Sequence, residues 1–189
     1  MACVADIRQS VIRGSRISLR PVRDSDIQTL FRWDSDEEIA KWAGKKFKTE
    51  EDAKDWYLSV HHLQKRSWII ETTDGNPIGE VEVTNISWRL HTGEIRIVIG
   101  EKSMWNQGLG EDAIRTCLSE LFGSTSLKEV FLKVDSRNLR ALRCYQKVGF
   151  RTEGKVKLLG DEDKPRSILL MRIAREDLLH GGAKGAYGT

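Results

Sequence analysis

The chain has 189 residues, the size of one domain, and is long enough to enclose a hydrophobic core. Lys and Arg (31) barely outnumber Asp and Glu (28), and the interspersed charges leave a formal net charge of +3, which argues against a dedicated nucleic-acid-binding protein. No apolar stretch approaches the roughly 20 residues of a membrane-spanning helix, so this class is excluded. The first residues lack the apolar stretch of a secretory signal, and the 3 cysteines are too few for a disulfide framework. We therefore expect a cytoplasmic protein with reduced thiols.

The N-terminal third predicts one strand and two helices. Residues 16–20 alternate in the manner of a short strand, and an acidic start signal then predicts a helix over 24–33. Thr49 and Asp52 resemble a capping box, and apolar residues at helical spacing follow them. This second helix is expected to run to about residue 65.

Three strands are predicted next. Residues 68–70 and 78–86 flank the turn Asp74-Gly75, whose glycine supplies a positive dihedral, and they predict an antiparallel hairpin. In a third strand, 94–99, the isoleucines occupy one face and alternate with Glu94, Arg96 and Val98. We expect one face of this strand to pack in the core and the other to be available for function.

The hydrophobic period changes from two to 3.6 after Gly108 and Gly110, which predicts a helix directly behind the third strand. Further elements are expected as a strand at 130–134, a helix at 140–147 ended by Gly149, and strands at 150–159 and 166–173. The pattern indicates an α/β domain with a mixed sheet. We assign an N-terminal extension to 1–15, the folded domain to 16–178 and a flexible glycine-rich tail to 179–189.

The segment 105–111 (WNQGLGE) joins the third strand to the helix. The first amides of a helix have no intrahelical acceptor, and glycines allow close approach, so such a turn favours a phosphate-bearing ligand. It has neither the Lys-Ser/Thr pair of a nucleoside-triphosphate loop nor the Gly-x-Gly-x-x-Gly order of a dinucleotide fold. The alternative interpretation is a turn that only closes tightly.

A second motif lies at 138–150 (NLRALRCYQKVGF). Together the two motifs resemble the GNAT superfamily of acyl-CoA-dependent N-acetyltransferases, which combines Gln/Arg-x-x-Gly-x-Gly/Ala with an Asn, a Tyr seven residues later and Lys-x-Gly-Phe. Trp105 departs from this pattern, since the family usually has Gln or Arg there. In this respect, and in Ile-Ser-Leu-Arg-Pro-Val at 17–22, the chain is similar to the branch of ribosomal-protein N-terminal acetyltransferases. The resemblance covers approximately residues 16–175.

The resemblance implies a mixed, mostly antiparallel sheet that is split near its middle, with about six to seven strands and about four helices. It also implies acetyl-CoA as a co-substrate and no metal. The cofactor would lie on backbone groups at Val98, Ile99 and Gly100 and on Asn138. Its pyrophosphate would lie on the turn formed by Asn106, Gln107, Gly108, Leu109, Gly110 and Glu111.

Two catalytic residues follow from the same resemblance. Tyr145 would be the general acid toward the coenzyme A sulfur, because a phenol keeps its proton at neutral pH yet can give it to a nascent thiolate. Glu94 would take the amine proton, directly or through water. The alternatives are an aromatic side chain packed on the core for Tyr145, and a solvated residue or ion-pair partner for Glu94.

The resemblance implies that the acceptor is a primary amine, either a protein N-terminus or a small amine such as a polyamine or aminoglycoside. The acidic residues at 34–38 would suit a cationic acceptor or would form a solvated loop.

Cys117 and Cys144 are expected to be inert buried thiols, and the histidine spacing predicts no metal site. We expect a homodimer, since a dimer is common among proteins of similar sequence. The competing hypothesis is a non-catalytic sensor that binds coenzyme A. Such a sensor would need Asn138 and the segment 105–111, called the glycine turn below, but not the catalytic pair Tyr145 and Glu94.

Overall fold

The computed structural model describes residues 10–44, 46–59, 65–158 and 166–180. The strands, in chain order, are β1 Ile12–Arg13, β2 Ile17–Pro21, β3 Arg66–Thr72, β4 Pro77–Ser87, β5 Thr92–Ile99, β6 Glu129–Asp135, β7 Arg151–Leu158 and β8 Arg166–Ala174. The helices are α1 Ile27–Ser35, α2 Glu37–Ala43, α3 Glu50–Ser59, α4 Leu109–Ser124, α5 Leu139–Val148 and α6 Arg175–His180.

Within the described residues the strands form one 8-stranded sheet in the order β1-β2-β3-β4-β5-β6-β8-β7. All neighbouring strands are antiparallel except β5 and β6, which are parallel. The pairing of β5 with β6 covers only Thr92 to Glu94, whereas its pairing with β4 continues to Ile99. The two central strands therefore separate beyond Glu94, which confirms the mixed, mostly antiparallel and centrally split sheet.

Helices cover both faces of this sheet. Side chains alternate between the faces of a strand, so Trp68 and Ile70 pack in the main core with α4, while Ile69 between them packs under α1. All three are buried. Burying one such aliphatic side chain contributes about 1.5 to 3 kcal/mol. The two cores fix the position of the gap between β5 and β6 relative to the helices on either side.

Helix α2 was not expected from the sequence. Only Asp36 separates it from α1, and the Asp36 carboxylate caps α2 by accepting from the amides of Glu38 and Ile39 at 3.0 and 3.2 Å. Asp34 is buried and accepts from the amides of Lys46 and Phe47. Two acidic residues of the 34–38 segment thus hold backbone amides in place.

Other boundaries differ by a few residues from the predicted ones. Strand β1 lies in the predicted extension and pairs with β2, and α6 runs through residue 180, past the predicted start of the tail. The predicted continuation of α3 over 60–64, the end of the strand predicted over 150–159 and the tail beyond 180 lie outside the described residues. No helix among those described is long and apolar enough to cross a membrane.

Candidate active site

A cleft opens where β5 and β6 separate. It encloses about 640 Å³ and lies between the free edge of β5, the start of α4 and one side of α5, with α2 at one end. Backbone atoms of 95–99 that would pair with β6 in a continuous sheet face this space instead. The cleft therefore offers strand-edge hydrogen-bonding groups to an extended ligand.

The glycine turn forms one wall of the cleft. Gly108 has φ +79°, a left-handed conformation that favours glycine, and α4 begins at the next residue. Asn106 is also left-handed, with φ +62°. These two left-handed residues place the first amides of α4 at the cavity wall. The positive end of the helix dipole can bind an anion there.

Trp105 ties this turn to the end of β5. Its indole Nε1 donates to the carbonyl of Ile99 at 2.7 Å, and the guanidinium carbon of Arg140 lies 3.6 Å from the centre of its ring. The indole thus satisfies a carbonyl at the edge of the splayed strand and supports a cation from α5. This is a physical role for the residue that departs from the usual family motif.

Helix α5 brings Asn138 and Tyr145 to the opposite wall. Asn138 caps the helix, because its Oδ1 accepts from the amide of Ala141 at 3.1 Å, and its Nδ2 is then the side-chain group able to donate to a ligand. Tyr145 is 9% exposed, lines the cleft and packs edge-on against Phe150, with ring centres 5.9 Å apart. Burial raises the pKa of the Tyr145 phenol well above its usual value. The phenol therefore holds its proton at neutral pH.

Glu94 lies in the cleft where β5 and β6 part. Its carboxylate accepts from Lys133 Nζ at 3.0 and 3.1 Å and from Asn85 Nδ2 at 3.0 Å. Lys133 is on β6, and its side chain is 61% exposed. Glu94 is therefore both a cavity residue and an ion-pair partner, which joins the two interpretations drawn from the sequence.

Arg96 is a cavity residue that the sequence analysis did not assign. Its guanidinium donates to Glu80 at 2.8 Å and to Glu82 at 3.3 Å. Burial alone would lower the pKa of Arg96, but the two carboxylates raise it overall. The available signal was the alternation of Glu80 and Glu82 along the strand that pairs with β5.

Arg96 belongs to a charge cluster with Glu80, Glu82, Lys46 and Lys65, in which the two carboxylates are buried and the three cations are partly buried. Lys46 Nζ lies 3.1 Å from Glu80 and 2.9 Å from Glu82, and Lys65 Nζ lies 3.4 Å from Glu82. The cluster links β4 and β5 to the chain segments on either side of α3. It thereby holds this side of the cleft in place.

The structure brings almost all of the predicted site residues to this one cavity. The lining includes Glu94, Val98, Ile99, Asn106, Gln107, Gly108, Leu109, Gly110, Glu111, Asn138 and Tyr145. Gly100 is not in the lining, and its amide donates to the carbonyl of Ile78 at 2.8 Å. Among the residues that the structure describes, no group of three His, Cys, Asp or Glu is arranged to hold a metal ion.

The two described cysteines differ in exposure: Cys117 is fully buried, as expected, whereas Cys144 is only partly buried and lines the cleft. Burial raises the pKa of Cys117, on α4, well above its usual value, and raises the pKa of Cys144, on α5, to about 11. A thiol with so high a pKa is mostly protonated at neutral pH and is a poor nucleophile.

Comparisons with known proteins agree with the fold and the motifs. The chain is 25% identical over 142 residues to spermidine N(1)-acetyltransferase of Escherichia coli K12, covering 74% of this chain and 75% of that protein. It is 27% identical over 164 residues to aminoglycoside N(6')-acetyltransferase type 1 of Klebsiella pneumoniae, covering 79% and 82% of the two chains.

Among solved structures, the fold is similar to spermidine N-acetyltransferase from Vibrio cholerae in complex with CoA and spermine, with TM-score 0.80, 21% identity, and coverage of 87% of this chain and 99% of that one. A GNAT-family acetyltransferase from Bacillus anthracis matches with TM-score 0.75, 20% identity, and coverage of 88% and 99%. Residues 16–151 match the family model described as Acetyltransferase (GNAT) domain. The chain therefore belongs to the GNAT family of acetyltransferases, as its two sequence motifs predicted.

Proposed function

We propose that this protein transfers an acetyl group from acetyl-CoA to a primary amine, by direct attack in a ternary complex. The observation that carries the proposal is the single cleft in which the glycine turn, the free edge of β5 and Tyr145 meet. An anion-binding turn alone would suit many ligands. A strand edge and a buried phenol beside it suit a phosphate-bearing ligand whose extended arm ends in a reactive group.

The residues present fit acetyl-CoA. The amides of Leu109, Gly110 and Glu111 at the start of α4 would hold the pyrophosphate, and the edge of β5 at Val98 and Ile99 would hold the amide-containing arm. The Vibrio cholerae enzyme of similar fold was solved in complex with CoA and spermine, which supports this assignment.

In the proposed reaction, the neutral amine nitrogen forms a bond to the thioester carbonyl carbon, and the carbon–sulfur bond breaks. Tyr145 gives its proton to the departing sulfur, which leaves as a thiol, and regains a proton through solvent. Glu94, or a water next to it, takes the proton that the amine nitrogen loses. Its contacts with Lys133 and Asn85 orient the carboxylate in the cleft.

The acceptor belongs to the class of primary amines. The curated relatives named above are spermidine and aminoglycoside acetyltransferases, which supports a small-molecule amine, and a protein N-terminus remains a prediction from the sequence. Asp34 and Asp36 do not decide between these acceptors, since their carboxylates already accept backbone amides.

Thermal unfolding with and without acetyl-CoA tests cofactor binding. A ligand at 100 times its dissociation constant that binds only the native state stabilises it by about 2.7 kcal/mol, so a clear rise in Tm is expected. No rise at saturating acetyl-CoA would refute the proposal. Acceptors are then compared by thiol release with spermidine, an aminoglycoside and a short peptide with a free N-terminus.

Tyr145→Phe separates an enzyme from a cofactor-binding sensor. The variant should bind acetyl-CoA within about twofold of wild type and lose about a hundredfold in turnover, the usual scale of a general acid. Tyr57→Phe is the matched control, because Tyr57 lies on α3 and does not line the cleft. Equal turnover in the Tyr145 variant would exclude its role as the acid, and no turnover by wild type with any amine would favour the sensor.

The cytoplasmic location and the homodimer remain predictions. Cell fractionation tests the first. Light scattering on the purified protein tests the second.

A further inference from the structure

The glycine turn is supported from outside the cleft by residues 14–16, which connect β1 to β2. The amides of Ser15 and Arg16 donate to the Asp112 carboxylate, in the first turn of α4, at 3.2 and 2.6 Å. The fit is close, because a Cβ added at Gly14 would lie 2.4 Å from Thr116 Oγ1 on the next turn of α4. The connecting segment is therefore seated directly against the start of α4.

From this position against α4, the Arg16 side chain extends to the glycine turn itself. Its Nη1 donates to the carbonyl oxygen of Gln107 at 2.6 Å. The peptide bond between Gln107 and Gly108 is trans, so its N–H points away from its carbonyl and hence away from Arg16. Gln107 and Gly108 line the cleft, whereas Arg16 does not.

We propose that Arg16 is a positioning residue, which fixes the Gln107–Gly108 peptide so that the turn presents its amides to the pyrophosphate of the cofactor. The inference rests on the proposed use of acetyl-CoA. A peptide next to a left-handed glycine can rotate at little steric cost, and rotation would direct a carbonyl toward the phosphates. The hydrogen bond from the charged guanidinium opposes that rotation, and charge-assisted bonds are the stronger kind.

The test compares two ligands that differ in the pyrophosphate. Acetyl-CoA carries it, and S-acetylpantetheine lacks both the pyrophosphate and the nucleotide. Arg16→Met removes the donor and the charge, and Arg16→Lys keeps the charge but loses the planar guanidinium. Arg13→Met is the matched control, because Arg13 lies on the neighbouring strand β1, is exposed and does not line the cleft.

The Kd for acetyl-CoA should rise roughly tenfold in Arg16→Met, about threefold in Arg16→Lys and not measurably in Arg13→Met. The Kd for S-acetylpantetheine should stay within about twofold of wild type in all three. A selective loss of this kind would not arise from general destabilisation of the domain. Should Arg16→Met fail to fold, Arg16→Lys carries the same comparison.

Three results would overturn the inference while the proposed function stands. They are an unchanged affinity for acetyl-CoA in Arg16→Met, an equal loss of affinity for both ligands, and wild-type affinity in Arg16→Lys, which would assign the effect to charge alone. A wild-type protein that does not bind acetyl-CoA would instead refute the proposed function, and the inference with it.

Discussion

Glu82→Gln tests the charge cluster behind the cleft, at one of its two buried carboxylates. Glu82 is 3% exposed and is contacted by Lys46, Arg96 and Lys65. Its carboxylate also accepts from the indole of Trp56 at 3.1 Å. The substitution keeps the shape of the side chain and a hydrogen-bond acceptor but removes the charge that the three cations surround. We expect it to destabilise the fold at neutral pH, since a buried charge pair is costly to break from one side.

The magnitude follows from the pKa of Glu82. Burial opposes ionisation, but Lys46, Arg96 and Lys65 outweigh it and lower the pKa from 4.5 to about 2. At about 1.4 kcal/mol for each tenfold difference in proton affinity, this lowering corresponds to about 3 kcal/mol of folding stability above pH 5. At pH 7, the free energy of unfolding of Glu82→Gln should be lower than that of the wild type by the same amount.

The sign of the pH dependence is fixed by the direction of the shift. Between pH 4.5 and about 2 the unfolded chain binds a proton at Glu82 that the folded chain does not, so the stability of the wild type falls as the pH falls. The glutamine variant lacks this contribution. The difference in unfolding free energy should therefore be constant from pH 7 to about 5 and should narrow in stronger acid.

Urea unfolding followed by tryptophan fluorescence, repeated from pH 7 to 3, measures this difference directly. Glu153→Gln is the control. Glu153 lies on the edge strand β7 and makes the same kind of contact with Arg172, but its side chain is exposed. This substitution should therefore change the unfolding free energy little. Equal stability of wild type and Glu82→Gln at pH 7 would refute the reasoning. A difference that persists unchanged at pH 3 would refute the assignment to ionisation of Glu82.

Two further predictions concern the cleft, and a third concerns a thiol in the core. Gly108→Val should raise the Kd for acetyl-CoA at least tenfold, because a β-branched residue disfavours φ +79°, and calorimetry showing unchanged affinity would exclude the phosphate turn. Glu94→Gln should lower kcat roughly a hundredfold with little effect on cofactor affinity. An unaltered kcat, measured by thiol release, would show that Glu94 is an ion-pair partner only. In a background that carries Cys3→Ser and Cys144→Ser, Cys117 should react with a thiol reagent at pH 8 only on unfolding, because the side chain is buried and burial raises its pKa; fast reaction in the native state would contradict this.

The parts of the fold that the sequence predicted are those with a strong local signal. The hairpin of β3 and β4 has an apolar run at 68–70, an alternating stretch at 78–86 and a turn with Gly75 at φ +80°, and α4 has an apolar stripe that begins directly after Gly108. These features need no information from distant residues. The predicted residues around the glycine turn lie in the cleft for the same reason, since a left-handed glycine followed by a helix start is determined by a short segment.

Helix α2 and the charge cluster lacked such a signal. A break of one residue, Asp36, between α1 and α2 does not interrupt the local composition, so an acidic segment there is equally typical of a loop. Lys46 is 34 residues from Glu80, and their pairing exists only because α1 to α3 cover that face of the sheet. Long-range ion pairs of this kind follow from the tertiary fold, which residue spacing alone does not determine.

The same distinction decides how firmly each residue of the cleft can be assigned a role. The positions of the amides in the glycine turn are determined by a short segment. Arg16, which donates to the Gln107 carbonyl in that turn, lies 91 residues away along the chain. Glu94 is placed on the cleft side of β5 by simple alternation, but Lys133, which contacts it, lies 39 residues later on a strand that diverges from β5. Since Lys133 is largely exposed, its contact with Glu94 is an exposed ion pair of small energetic weight. An acceptor ammonium entering the cleft can therefore compete with Lys133 for this carboxylate at little cost, so an ion pair in the free protein is compatible with a catalytic role for Glu94.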